Sequence, residues 1–303
     1  MWATATLASS RSSRLIGSRV VLAWVMIVGT IVGLPLALAT GVPSEVPPGT
    51  LPLVLLAGVC YSAGLYVTYK ALRIGKVSIV APIVATEGAV GALIAVALGD
   101  PLTLVAALLL AVIAGGVVLS TIEPARPDVP AGDIELAADA LDGPASDDAR
   151  ARIADHAALL ADDASRTRTT VLYSVAGALI FGVGLVAAGK SAALIPPIWV
   201  AVSARFVGLA VVALPLVLQR RLVITRQALP LVIIAGTGEI LGSTASAWGS
   251  TYSIPITAVL GSQFAAIAAV VAFLLFGERL SRTQVAGVIV IVGGVTALAA
   301  SSV

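Results

Sequence analysis

The chain has 303 residues, 59% of them apolar and only 11% charged, with a formal net charge of +2. Soluble domains carry about 25% charged residues, so a soluble globule is excluded; the net charge itself says little, because charge in a membrane protein matters by location, and no nucleic acid is expected as a partner. One cysteine, Cys60, excludes an internal disulfide, and one histidine, His156, excludes zinc motifs built on histidine pairs.

Residues 1–19 are polar, with Arg11, Arg14 and Arg19. Nine apolar spans follow, at about 20–40, 51–70, 77–98, 102–121, 170–189, 194–218, 229–250, 254–276 and 283–301. Each is long enough for a transmembrane helix, and the runs are continuous rather than alternating, so a membrane β-barrel is not expected. The first span has basic residues before it and Ala37-Leu38-Ala39 near its end, as a signal peptide would. Its apolar run exceeds the 7–15 residues of a signal core, and it is read as a span. Residues 122–168 differ in kind: they hold 11 of the chain's 16 acids and four prolines. That composition predicts a solvated linker. Part of it can be helical, with Ser146 as the cap and Ile153, Ala157 and Leu160 on one face.

Charge predicts the topology. The loops before span one and after spans two, six and eight carry Arg11, Arg14, Arg19, Lys70, Arg73, Lys76, Arg220, Arg221, Arg226, Arg279 and Arg282. The short loops on the other side carry only Lys190. By the positive-inside rule the basic set and the long linker are cytoplasmic, and the C-terminus is outside. The protein is expected in the plasma membrane.

The chain also repeats itself. Shifted by 178 residues, 51–121 overlays 229–299 with 14 of 71 positions identical, among them Leu51-Pro52-Leu53-Val54 on Leu229-Pro230-Leu231-Val232 and Gly115-Gly116-Val117 on Gly293-Gly294-Val295. Matched loops differ in charge: the loop near Gly75 is basic while Thr251-Tyr252-Ser253 is not, and the uncharged-by-base 41–50 matches a loop with Arg220, Arg221 and Arg226. The repeats are therefore predicted to insert in opposite orientations, as in many secondary transporters. The second half fills five spans and the first shows four, preceded by a short Trp2–Ala8 remnant.

Gly277-Glu278-Arg279-Leu280-Ser281, then Gln284, Gly287 and Gly293-Gly294-Val295, resemble the closing signature of an EamA-type repeat of the drug/metabolite transporter superfamily. Ala71-Leu72 with Val77-Ser78-Ile79-Val80-Ala81-Pro82-Ile83 resembles the matching part of the first repeat, and Phe181-Gly182 and Ala204-Arg205 resemble the start of the second. The resemblance implies ten helices in two inverted five-helix repeats and transport of small metabolites. The chain departs from it in a reduced first helix, in Asp100 where the family more often has Glu, and in the long linker. Residues 2–19 resemble the end of a helix and its loop, which a mis-set start codon would explain. The expected fold is an all-α membrane protein, a bundle of nine spans lacking most of the first helix. It divides into a first repeat (1–121), an acidic linker (122–168) and a second, inverted repeat (169–303).

Ionisable groups cost at least ~2.5–3.5 kcal/mol at a membrane helix centre, so the exceptions are informative. Glu87, Arg205 and Glu239 stand near mid-span. Glu239 or Glu87 reads as a proton- or cation-binding group, and Arg205 as its counter-ion or an anchor for a substrate carboxylate. The competing reading is a structural Glu–Arg pair tying helices together. Ser243, Ser246 and Ser250 share the face of Glu239, suiting either a wet cavity or close packing. Tyr61 occupies the position matching Glu239, with Ser62, Tyr66 and Tyr69 beside it; Tyr69 reads as an interface anchor. Gln263 either bonds a neighbouring helix or faces substrate. Trp199 and Trp248 read as belt residues, Gly29 and Gly33 as a weak G-x-x-x-G, and Asp100 and Glu278 as caps of the following helices.

These residues predict a secondary transporter of a small metabolite or drug-like compound, working by alternating access and coupled to protons or to exchange. Its partners are that small molecule, protons and the lipid bilayer; a homodimer is compatible with the residues and nothing specifies one. No cofactor or metal is expected. No Walker A sequence supplies ATP drive. An intramembrane enzyme would need a catalytic set: His-Glu-x-x-His does not occur, Ala97-Leu98-Gly99-Asp100 is not G-x-G-D, and nothing marks a nucleophile. An inactive or accessory membrane subunit is the remaining alternative.

Overall fold

The computed structural model describes residues 1–75, 77–121, 147–261, 263 and 282–301. Every regular element among them is helical. They are α1 (Trp2–Ile16), α2 (Ser18–Ala39), α3 (Thr50–Ile74), α4 (Val77–Ala85), α5 (Glu87–Ala97), α6 (Leu104–Thr121), α7 (Asp147–Ala192), α8 (Pro197–Gly208), a π-helical turn (Leu209–Ala213), α9 (Leu214–Leu218), α10 (Ala228–Ser250), α11 (Ile254–Gly261) and α12 (Arg282–Ser301). Ser18–Ala39, Thr50–Ile74, Ser165–Ala192, Pro197–Leu218 and Ala228–Ser250 are long and apolar enough to cross a bilayer. This is a multi-pass membrane protein.

Four differences from the sequence expectation have local causes. Trp2–Ile16 is one 15-residue helix rather than a stub and a loop. Its Ser9, Ser10, Ser12 and Ser13 are buried, and small side chains let its backbone approach its neighbours closely. The third span breaks at Thr86, whose hydroxyl donates to the Ile83 carbonyl at 2.7 Å while its N–H bonds the same carbonyl at 3.2 Å. That tight turn ends α4 and makes Glu87 the first residue of α5. The sixth span is interrupted by the π-turn, where the Leu214 N–H reaches back five residues to Leu209. Pro215 cannot donate to the carbonyl four residues earlier, and the wider turn absorbs the lost bond. The second half of the acidic linker continues without a break into the fifth span as α7, 46 residues long. The Ser146 cap, most of the eighth span and Glu278 after it lie outside the described residues.

The 178-residue offset carries over to the helices. Added to Thr50–Ile74 it gives 228–252, against Ala228–Ser250; added to Ser18–Ala39 it gives 196–217, against Pro197–Leu218. Packing is reciprocal: α3 lies along α7 while α10 lies along α1, and α2 meets α8, α5 meets α11 and α6 meets α12. Matched glycines make two of these contacts close. A methyl group on Gly64 would stand 2.8 Å from the Phe181 ring of α7, and one on Gly242 would stand 2.5 Å from the Trp2 indole of α1. Each third helix thus offers a bare backbone to an aromatic ring from the other half.

Asp100 caps no helix. It takes the Lys190 ammonium at 2.5 Å, at the end of α7. The first turn of α6 is capped instead by the Thr103 hydroxyl, which accepts from the Ala106 N–H at 3.2 Å. Lys190, the one base among the short loops of its side, is therefore paired.

Candidate functional site

Helices α3, α8 and α10 bring four sequence-predicted residues together: Tyr61, Arg205, Glu239 and Ser243. Arg205 on α8 is fully buried, at 0% exposure. Its Nη2 donates to the Tyr61 hydroxyl at 2.8 Å and to Ser243 Oγ at 3.0 Å. Its guanidinium carbon lies 4.2 Å from the centre of the Tyr61 ring, a cation–π contact. The Tyr61 hydroxyl in turn donates to Glu239 Oε2. Ser243 Oγ, which accepts from Arg205, donates to the Glu239 backbone carbonyl at 2.7 Å. So Arg205 and Glu239 communicate through the Tyr61 phenol, rather than as the direct ion pair that sequence alone suggests. A charge without water needs such partners, because burial removes several kcal/mol of hydration per ion.

Room for the guanidinium comes from Gly29 on α2. A methyl group there would stand 2.8 Å from Arg205 Nε. Gly33, one turn on, lies against Ile240 and Val202. The G-x-x-x-G of α2 therefore seats Arg205 as well as packing helices. Arg205 Nε and Nη1 are buried without a hydrogen-bond partner. Groups of that kind are rare and each calls for a reason.

In front of the cluster lies a cavity of about 100 Å³, part of it open to the outside. Tyr61, Glu239, Ser243, Ser246 and Ser250 line it, as the shared face of α10 requires. Glu87 lines it from the start of α5, buried at 8% exposure, with no hydrogen bond or ion pair among the described residues. Arg205 stands behind Tyr61 and not on the wall. The rest of the wall is mostly apolar and aromatic, with Trp2, Leu65 and Phe181 beside Thr6 and Thr68, and the Phe181 ring meets Tyr61 edge-on at 6.1 Å. A concave, mostly apolar wall with a few convergent polar groups has the form of a small-molecule site.

Not every sequence-predicted residue arrives there. Tyr69 is no interface anchor: it is buried at 2% exposure and lines the cavity. Tyr66 and Ser62 face a different groove, on the outside of the bundle. Gln263 is not among the described residues of the wall; its side-chain nitrogen is buried without a hydrogen-bond partner. Trp199 donates to the Gly41 carbonyl at 2.8 Å, and Trp248 is 62% exposed with its ring against Tyr252. Sequence reasoning missed Trp2 and Phe181 as wall residues: Trp2 appeared only in the short Trp2–Ala8 remnant, and Phe181 only in the Phe181-Gly182 resemblance.

A crystal structure of another protein shares the fold, with a TM-score of 0.66 at 18% identity, over 98% of this chain and 93% of that one. No curated protein matches the chain. Residues 1–122, which supply Tyr61, Glu87 and Gly29, match the EamA-like transporter family, a family of the drug/metabolite transporter superfamily.

Proposed function

We propose that the protein is a secondary transporter that moves a small metabolite or drug-like compound by alternating access, coupled to protons. Two inverted five-helix repeats, within 1–121 and 169–303, rock about the cluster at Tyr61, Arg205 and Glu239. The observation that carries this reading is the pair of carboxylates, Glu87 and Glu239, on the wall of one cavity between the repeats. A carboxyl group in such a place can take up a proton from one side and release it to the other as access alternates. Glu239 is held by Tyr61 and so keeps one geometry, while Glu87 is free to meet a proton or a cationic group of the substrate. Arg205 balances the charge from behind. The reciprocal packing of α3 on α7 and α10 on α1 supports the repeat plan. The basic loops favour a cytoplasmic linker, an outer C-terminus and residence in the plasma membrane.

The test is transport in sealed vesicles with a pH-sensitive dye inside. Substrate-dependent proton flux that disappears in Glu239→Gln or Glu87→Gln supports the coupling. Normal coupled flux in both variants overturns it. A compound library read by the same dye identifies the substrate.

A further inference from the structure

The outer face between α3 and the α8–π–α9 segment carries a second hollow, separate from the cavity. Val59, Ala63, Val207, Val211 and Leu216 form its walls, and Val59 and Val211 are more than half exposed toward the surroundings of the bundle. The π-turn at Leu209–Ala213 pushes the backbone of this helix out of register, and Ala63 opposite it is too small to fill the space. The hollow runs from Val207 to Gln219, which at 1.5 Å per residue is roughly 18 Å. That is close to one leaflet of a hydrocarbon core about 30 Å thick.

One end of the hollow is basic. Arg19 Nε donates to the Tyr66 hydroxyl at 3.2 Å, which leaves its two terminal nitrogens for another partner. Lys70 Nζ lies 5.2 Å from the centre of the same ring and 5.0 Å from that of Tyr173. Arg19 and Lys70 thus both lie against Tyr66, and neither has a carboxylate partner among the described residues. Arg220 and Arg221 follow Gln219 directly. Inside the hollow, Ser62 is 5% exposed and its hydroxyl is buried without a hydrogen-bond partner.

We propose that this groove is a binding site for one anionic phospholipid. Its phosphate sits between Arg19 and Lys70, one acyl chain runs down the groove along the π-turn, and the Ser62 hydroxyl meets the ester region. Basic residues at the membrane surface attract anionic headgroups by about 1 kcal/mol each, and a chain of the same leaflet length fills the hollow. The proposal rests on the chain spanning a membrane and not on transport.

The experiment is native mass spectrometry of the full chain, released from detergent holding equal amounts of phosphatidylglycerol and phosphatidylcholine. Phosphatidylglycerol is expected on the wild type in preference by roughly tenfold or more, from two basic contacts. Arg19→Gln with Lys70→Gln removes the preference but keeps a bound lipid. Ala63→Phe, which fills the groove, removes the lipid of either headgroup. Val211→Phe, on the exposed side of the π-turn, serves the same end if Ala63→Phe does not fold. Equal retention of the two lipids by the wild type overturns the proposal. So does an unchanged preference in the double variant, or a wild-type level of bound lipid in a folded groove-filled variant.

Discussion

Tyr61 and Glu239 are 178 residues apart, the same distance that overlays the two repeated stretches, and the phenol of one donates to the carboxylate of the other. In the proposed repeat plan, two matched positions touch only where the axis relating the repeats passes. The one place where the two halves must meet face to face therefore holds a hydrogen bond between unlike residues, a donor from one half and an acceptor from the other. Identical residues there could not form it so well: two carboxylates would repel, and two phenols would leave Arg205 without a counter-ion.

That bond is expected to be energetically coupled. Tyr61→Phe removes a donor to Glu239 and an acceptor for Arg205, and leaving buried polar groups unpaired costs roughly 1–3 kcal/mol. Glu239→Gln should cost less once Tyr61 is already Phe. A double-mutant cycle on thermal unfolding in detergent checks this, with an expected interaction of about 0.5–3 kcal/mol. Simple additivity would show that the bond is not what holds the pair.

Gly29→Ala places a methyl group 2.8 Å from Arg205 Nε, whereas a methyl on Gly115 meets nothing within 4 Å. Overpacking of a closed site costs about 1–3 kcal/mol. Gly29→Ala should therefore lower the melting temperature clearly while Gly115→Ala leaves it nearly unchanged or raises it, since Ala favours helix. Equal effects in the two variants would remove the tight seat for Arg205.

Arg205→Lys keeps the charge but loses the planar fork that reaches Tyr61 and Ser243 from one nitrogen. Arg205→Ala leaves Glu239 without its charge partner and should destabilise by about 3–5 kcal/mol, as when one member of a buried pair is removed. The lysine variant is expected between wild type and alanine. Circular dichroism melts of the three proteins rank them.

Glu87→Gln should separate function from stability. The side chain makes no hydrogen bond or ion pair among the described residues, so its amide replacement is expected to change stability by no more than about 1 kcal/mol. Gln does not titrate, so the pH dependence of transport should flatten. A large stability loss with unchanged pH dependence would mark Glu87 as a structural residue.

Asp100 and Lys190 form a pair that is only partly shielded, with side-chain exposures of 19% and 34%. Asp100→Asn is expected to cost about 1 kcal/mol or less, and added salt should shrink the difference. A melt series from low to high ionic strength reads both.

What was legible in the sequence is what depends on composition and order along the chain. Apolar runs of some 20 residues are helices because the bilayer allows the backbone no other partners, so the spans at 20–40, 51–70 and 229–250 correspond to α2, α3 and α10. Glu87, Arg205 and Glu239 stood out because a charge in such a run is costly. The match of Tyr61 to Glu239 was legible as an offset. Contacts were not. Asp100 looked like a cap because a carboxylate near a helix start often is one, and its partner Lys190 lies 90 residues away. Tyr69 looked like a belt residue because position along a span says nothing about which way a side chain faces. Gly29 looked like one small residue among many, until the helix opposite placed a guanidinium against it. The break before Glu87 and the π-turn at Leu209–Ala213 depend on single hydrogen bonds, Thr86 to Ile83 and Leu214 to Leu209. Hydropathy averages over such bonds. Chain order decided which residues could be buried in the bilayer, and only the packing of one half against the other decided which of them would touch.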